Sequence, residues 1–429
     1  MKHHWLTILI LLVAIDGWAA APLTIDEAVR EALASSPQIH EGEAYRQAAE
    51  FATNATRAEF LPRLSASYAY QNLADSPFIN IYGNQVTTNT RDQHHWEIAL
   101  HQPIFSGFAI SARHRLAQLG LATRTLDLQQ ARQKVIVQVK QGCFDLLVAE
   151  KKLDVTESSV TALTAHETDV EKFYAKGLVP LNDLLKARVA RGDAVLQQHR
   201  AQAGVRQARS ALCLQLGRDF DDGLEIAEAI PVITPLPELS AQVEGAMANR
   251  SEIALLERAI ESKSSEQRVV KSDYYPNVEL FGRYQQDGED LGARTNEYAN
   301  QHNASVGVQA SWEIFTFGKT RSRCAEAAAE RRALEQTLEK IRDDIRLQVV
   351  QARLDLDVAQ GNIDTARTAL NQAQEHWRIT DRLYRQQLTT TTEVLDARSY
   401  LDRARSAFYE AQYGYGSSLA LLEWAMGKP

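Results

Sequence analysis

Beyond its first residues the sequence contains no apolar run approaching the roughly 20 residues that a membrane-crossing helix requires. A chain of this kind can enter a lipid bilayer only as a β-barrel. It has three cysteines, Cys143, Cys213 and Cys324, an odd number, and all fall in helical patterns. A disulfide framework is therefore not expected, and buried thiols filling small gaps are. A basic surplus is also missing: the formal net charge is -8, which argues against nucleic acid as a partner. Absent too are a phosphate-cradling glycine loop, a zinc-spaced cysteine cluster and a Ser/His/Asp set in a strand-turn-helix context, so neither enzymatic activity nor a cofactor is expected.

What is present begins with a secretory signal over residues 1–19: Lys2, the apolar run Leu6 to Ile15, and the small-residue stretch Gly17-Trp18-Ala19-Ala20-Ala21. Cleavage after Ala19 fits the small-x-small rule. No cysteine lies near that point to accept a lipid anchor.

The mature chain is a duplication. An offset of 210 residues aligns residues 104–217 with 314–427 without a gap, matching among others Phe105 with Phe315, Tyr174 with Tyr384, Leu178 with Leu388, Ala187-Arg188 with Ala397-Arg398, and Gly217 with Gly427. Upstream the offset is 214, pairing Pro62 with Pro276 and Tyr70 with Tyr284, so the length difference falls in a loop. The predicted organisation is a first repeat over 20–217, a proline-ended connection over 218–236, and a second repeat over 237–429.

Each repeat opens with helical periodicity, from about Thr24 to Phe60 and from about Pro237 to Tyr274, the first begun by a Thr24 cap with Glu27 three residues on. After Pro62 and Pro276 the period changes to two. Leu64, Ala66, Tyr68 and Tyr70 alternate with polar residues, as do Val278, Leu280 and Tyr284. A second alternating segment follows each polar loop (about 74–93 and 287–303), with Trp96, Ile98, Leu100 and Ile104 in one repeat and Val306, Val308, Ala310, Trp312 and Ile314 in the other. Segments of about ten residues with one apolar face are the pattern of transmembrane strands, with Tyr68, Tyr70, Trp96, Tyr284 and Trp312 as membrane-interface aromatics. A soluble sandwich uses the same alternation; the signal and the aromatic placement favour the barrel. Four strands cannot close a barrel, so several chains must share one. Two chains would give eight strands and three would give twelve, and the arithmetic does not choose.

Helices then run from about Gly107 to Tyr174 and Gly318 to Tyr384. In the second, a seam of Leu334, Leu338, Ile341, Ile345, Val349, Ala352, Leu356, Ala359, Ile363, Ala366, Leu370, Ala373 and Trp377 is spaced three and four, as in a coiled coil. A four-four step at Ile341, Ile345 and Val349, repeated at Ala131, Val135 and Val139, is a stutter. Such helices reach about 100 Å at 1.5 Å per residue, the scale of a conduit crossing a periplasm. The chain turns at FYAKGLVPLNDLLKAR and LYRQQLTTTTEVLDAR and returns as second helices to about Gly217 and Gly427.

In order, duplication and spacing, LTIDEAVREALASSPQI, EFLPRLSASY and DYYPNVELFGRY, QPIFSGF and WEIFTFGK, and the two turn segments resemble the TolC-like outer-membrane efflux protein family over essentially the whole mature chain. The resemblance implies a mixed α and β fold in a homotrimer: a twelve-stranded barrel in outer-membrane lipid, an antiparallel coiled-coil α-helical barrel extending into the periplasm, and an equatorial layer between. It implies an exit duct for efflux or type I secretion, docked to a periplasmic adaptor (membrane fusion) protein and an inner-membrane transporter. It places the pore constriction at Glu393 and Asp396, with Asp183 at the corresponding place in the first repeat, and gating tyrosines at Tyr174 and Tyr384. Adaptor contact falls on Gly177, Leu178 and Val179, and on Leu388 and Thr389, where Gln387 replaces the family glycine.

Two other readings compete. The histidines His94, His95, His101 and His114 with Glu97 form the densest set of metal-ligating types, but polar barrel lining accounts for them and no metal site is assigned. A soluble periplasmic coiled-coil adaptor or scaffold would share the signal and the heptads, though not two strand pairs at equivalent places.

Overall fold

The computed structural model describes residues 22–220, 223–298, 300 and 302–428; the signal segment lies outside them. The chain divides into two compact units. One comprises residues 22–39, 132–245 and 348–428, and the other residues 40–131 and 246–347. Each unit draws on both sequence repeats, so the compact units cut across the repeat boundaries.

The first unit is helical. Helix α1 (Ile25–Ser35) starts at the expected capping box, with Thr24 N–H donating to Glu27 Oε2 at 3.0 Å and Glu27 N–H to Thr24 Oγ1 at 3.3 Å. The single opening helix expected from periodicity is broken at Ser36, after which α2 (Pro37–Ala58) begins. Pro37 lacks an N–H and forces the preceding residue into an extended conformation, here Ser36 at ψ 122°. The second repeat breaks likewise, between α5 (Leu239–Asn249) and α6 (Ser251–Lys271), at an extended Arg250.

The long helices match expectation within two residues: α3 is Ala109–Ala175 and α7 is Lys319–Arg385, 67 residues each. Their return partners are α4 (Leu181–Leu216) and α8 (Thr391–Ala425). In α7 Ile345, Val349, Leu356 and Ile363 are buried. The last two pack with Tyr415, Leu422 and Met426 of the α8 end, with Ala352 and Ala359 beside them. The connection between repeats is tied to the amino end of the unit. Leu23 bridges Ile226 in parallel, Tyr413 Oη donates to Glu228 Oε1 at 3.2 Å, and Lys151 pairs with the same carboxylate at 3.0 Å.

The second unit holds a four-stranded antiparallel sheet. Strands β1 (Arg63–Asn72), β4 (Asp92–Ser106), β5 (Asn277–Gly288) and β6 (His302–Ser311) lie in the order β1-β4-β5-β6, so the two hairpins join through β4 and β5. The loop between β1 and β4, expected to be polar, carries a small hairpin instead: β2 (Phe78–Ile81) and β3 (Asn84–Thr87), turned at Tyr82 and Gly83 with φ of 48° and 87°. Consecutive left-handed residues match the right-handed strand twist, which is why a tight hairpin forms there. The last strand is shorter than expected. β6 stops at Ser311, opposite the first residue of β5, and leaves Trp312 and Ile314 outside the sheet.

Close helix approach in the first unit depends on Gly416 of α8, where an added Cβ would lie 2.5 Å from Cζ of Phe144 on α3. Gly416→Val should overpack this contact and cost about 1–3 kcal/mol of stability. A lowered thermal midpoint in detergent, partly restored by adding Phe144→Leu, is the expected result; no restoration would mean the strain lies elsewhere.

Candidate functional site

The helical tips of the first unit carry most of the candidate residues. Both tips close by the same backbone device. At the first, Gly177 N–H donates to Tyr174 O at 2.9 Å and Leu178 N–H to Phe173 O at 2.9 Å. At the second, Gln387 N–H donates to Tyr384 O at 2.8 Å and Leu388 N–H to Leu383 O at 2.9 Å. This is the Schellman closure, which places one residue in the left-handed region. Gly177 takes it at φ 70° and Gln387 at φ 61°. The lost glycine therefore changes the side chain and adds strain, while the path of the chain is unchanged. Leu178 and Leu388 stand exposed at equivalent places, with Val179 and Thr389 half-buried behind them.

The two tip tyrosines have different surroundings. Tyr174 is 40% exposed and Tyr384 only 4%. Tyr384 sits among Val170, Leu184, Ala187 and Val394, one residue each from α3 and α8 and two from α4, with its hydroxyl 3.2 Å from Thr391 Oγ1. Burial raises its phenol above the ordinary value. It is the plug where the two hairpins meet.

Glu393 and Asp396 lie one turn apart on α8, both exposed, and among the described residues neither has a cation within ion-pair distance. Glu393 occupies the third position of α8, its N–H donating to Thr390 Oγ1 at 3.3 Å; Asp183 holds the same position in α4, with Lys186 Nζ 3.8 Å away. An acid there also favours the positive end of the helix dipole. Asp396, a turn further in, has no such local role.

Two features of this region were not read from the sequence. His166 is buried against Tyr384, ring centroids 4.7 Å apart, and among the described residues its Nε2 has no hydrogen-bond partner. Burial holds its imidazole below the ordinary value, opposed by the charges of Asp169 and Asp381. Arg398 is buried as well. It pairs with Asp402 at 2.7 Å, donates to Ser158 Oγ at 3.2 Å and lies over Trp377, and Ser159 Oγ donates to Asp402 Oδ2 at 2.7 Å. Its repeat counterpart Arg188 is exposed and paired with Glu171 at 2.8 Å. An Arg and Asp four apart read as a solvated surface pair, and only the pairing of helices reveals the burial.

In the second unit the sheet has one apolar and one polar face. Leu64, Tyr68, Tyr70, Trp96, Ile98, Leu100, Leu280, Tyr284, Val306 and Val308 share the first, and all are exposed. The second carries a ladder of charges: His95 Nδ1 is 2.6 Å from Asp287, Arg283 Nε 3.1 Å from Glu97, and His101 Nδ1 3.8 Å from Glu279. His94 faces the opposite side, bonded to Tyr68 Oη at 2.6 Å, and His114 on α3 meets Thr56 at 3.1 Å. The four histidines are thus dispersed, and among the described residues no three metal-ligating side chains converge.

Two substitutions probe the tips. Gln387→Gly should relieve the left-handed strain and raise stability by about 0.5–1 kcal/mol, measured as a higher thermal midpoint; a fall would mean the glutamine side chain outweighs its strain. His166, with its pKa depressed in the folded chain, gives stability that is full above the ordinary imidazole value and lost as pH falls, because the unfolded chain takes up the proton first. Below about pH 6.5 the thermal midpoint should therefore drop, and His166→Leu should flatten that drop. An unchanged slope would assign it to other groups.

Known proteins share this arrangement. Among solved structures, the outer membrane protein VceC of Vibrio cholerae superposes with a TM-score of 0.78 at 18% identity, covering 94% of this chain and 96% of that one. The Campylobacter jejuni CmeC outer membrane channel gives 0.80 at 17%, covering 94% and 85%. In sequence, the alkaline protease secretion protein AprF of Pseudomonas aeruginosa is 24% identical, with 97% of this chain and 86% of AprF aligned. The cobalt-zinc-cadmium resistance protein CzcC of Cupriavidus metallidurans is 24% identical over 68% of each chain. The family model for outer membrane efflux proteins matches residues 28–218 and again 243–428, and the chain belongs to that family.

Proposed function

We propose that the chain is the passive outer-membrane exit duct of a tripartite efflux or type I secretion system, working as a homotrimer and catalysing no reaction. The observation that carries this reading is a four-stranded sheet whose apolar face is exposed and whose two outer strands, β1 and β6, each have, among the described residues, a strand neighbour on one side only. In lipid every unpaired backbone group costs several kcal/mol, so such a sheet is stable there only inside a closed barrel. Three chains supply twelve strands from three copies of the four. The polar face then lines the lumen, and the 67-residue helices form the periplasmic conduit. The duplication lets one chain supply two equivalent sectors of the ring. The exposed leucines of the tips, Leu178 and Leu388, offer apolar contact to a periplasmic adaptor, through which an inner-membrane transporter would deliver cargo. AprF is a secretion protein and CzcC a metal-resistance protein by name. A passive duct serves either kind of system, because the transporter selects the cargo.

The constriction in this reading is a ring of Glu393 and Asp396 from three chains. Converging carboxylates concentrate negative potential, attract cations and permit block when a polyvalent one binds. Asp396→Ala, which removes charge without touching a helix cap, should weaken block of single-channel current by hexamminecobalt; adding Glu393→Ala should weaken it further. Unchanged block in the double variant would remove these residues from the pore. Recovery of the chain in osmotic-shock fluid, and not in detergent-extracted outer membrane, would overturn the duct itself.

A further inference from the structure

The second unit holds a basic hollow that neither the pore nor the tips use. It lies where strand gives way to helix: β4 ends at Ser106 and α3 begins at Ala109, while α6 ends at Lys271 and β5 begins at Asn277. Gly107 and Phe108 make the first of these turns in the left-handed region, at φ 59° and 68°. A Cβ at position 107 would lie 2.6 Å from Ser272 O, so glycine lets the strand end press against the end of α6. Phe108 has no such freedom. A bulky residue at positive φ is strained, and here the strain leaves it 63% exposed. Between the helix ends is an open hollow of about 390 Å³, lined among others by Phe108, Ser111, Arg115, Arg268, Lys271 and Tyr275.

The charge and the direction of this hollow identify its occupant. Arg115 is paired with Glu261, Nε donating to Oε1 at 3.1 Å, whereas among the described residues Arg268 and Lys271 have no carboxylate within ion-pair distance. Three cations against one carboxylate leave two positive charges, and Asp273, the next acid along the chain, does not line the hollow. Cations in the last turn of a helix also suit its dipole. Guanidinium, ammonium and hydroxyl donors around one open space, however, match the oxygens of a phosphate. As for direction, Phe105 lies opposite Val278, on the sheet face that carries Leu280 and Tyr284. Its ring meets Phe108 edge-on at 5.5 Å and Tyr275 at 6.3 Å, and those two meet each other at 6.2 Å. The aromatic wall of the hollow is thus continuous with the apolar face of the sheet.

We propose, resting on the duct reading above, that this hollow binds the phosphate headgroup of an anionic phospholipid in the periplasmic leaflet, with the acyl chains against the apolar face of β4 and β5. In that reading this end of the strands stands at the periplasmic boundary of the bilayer. Cargo would pass along the polar face and does not reach the hollow. A neighbouring copy would meet the outer strands β1 and β6, whereas the hollow lies below β4 and β5 at the centre of the sheet. A headgroup held there would fix the depth of the barrel at the point where the helices begin.

The test uses the full chain, extracted from outer membrane and exchanged into a neutral detergent. Phosphatidylglycerol should be retained in native mass spectra and raise the thermal midpoint; phosphatidylcholine with the same acyl chains and inorganic phosphate should do neither. Arg268→Gln combined with Lys271→Gln should weaken retention of phosphatidylglycerol roughly tenfold, since each basic group near an anionic lipid surface contributes a few-fold. Lys340→Gln combined with Arg367→Gln, at exposed positions of α7, should leave retention unchanged. Equal retention by the Arg268 and Lys271 double variant and the wild-type chain would overturn the site. So would equal retention of the two lipids by the wild-type chain, a comparison that needs no variant. An equal rise in midpoint with inorganic phosphate would make the hollow a free-anion site and overturn the lipid. In each of these cases a chain that still migrates as a trimer leaves the duct standing, whereas recovery in osmotic-shock fluid would remove both.

Discussion

The constraint on which the rest of this molecule depends is the backbone hydrogen bond at a sheet edge in lipid. Side chains on the apolar face can meet hydrocarbon unaided, but an N–H or C=O on an outer strand cannot, and nothing in the bilayer core replaces water as its partner. Among the described residues the four-stranded sheet has two edges without a further strand, so in lipid it would be incomplete by itself. In the trimer proposed above, the edge strands of neighbouring chains would complete one another.

The helices answer to a different force. Their seam buries small and branched residues at coiled-coil spacing, and small residues allow close approach, as Gly416 does against Phe144. Such packing is spread along the helices, so no single contact holds them. The tip adds polar contacts to this packing. There Tyr384 fills the junction of the two hairpins, and Arg398, paired with Asp402 and held by Ser158, fixes α8 on α3. A buried ion pair of this kind contributes little net stability, but losing one partner leaves a charge in a low-dielectric site. It therefore specifies one packing of the helices more than it strengthens that packing.

What could be read in the sequence were the features that period and punctuation encode: the strand starts after Pro62 and Pro276, the ends of α3 and α7, and the buried seam. The misreadings share a physical cause, since each depends on what a segment meets. The helix break at Pro37 is local and was written in the proline, but the break at Arg250 carries no such mark. The hairpin within the β1–β4 loop looked polar because Asn80, Asn84 and Gln85 separate its apolar residues. β6 stops at Ser311, opposite the first residue of β5, and nothing in the sequence marks that stop, because Trp312 and Ile314 continue the alternation. His166 and Arg398 went unnoticed for the same reason: a polar residue on a helix is a surface residue until another helix covers it.

The relation between the two tips follows from this. Gln387 stands in the place of Gly177, and both tips close with the same two hydrogen bonds and nearly the same φ. Divergence lies in the layer behind the turn. Equivalent tyrosines are exposed in one repeat and buried in the other, and equivalent arginines are solvated in one and enclosed in the other. The second repeat supplies the enclosed member of each pair and, at Glu393 and Asp396, the unpaired carboxylates. A backbone copied twice thus exposes a leucine at each tip, Leu178 and Leu388, while the side chains that differ set the surroundings of each turn.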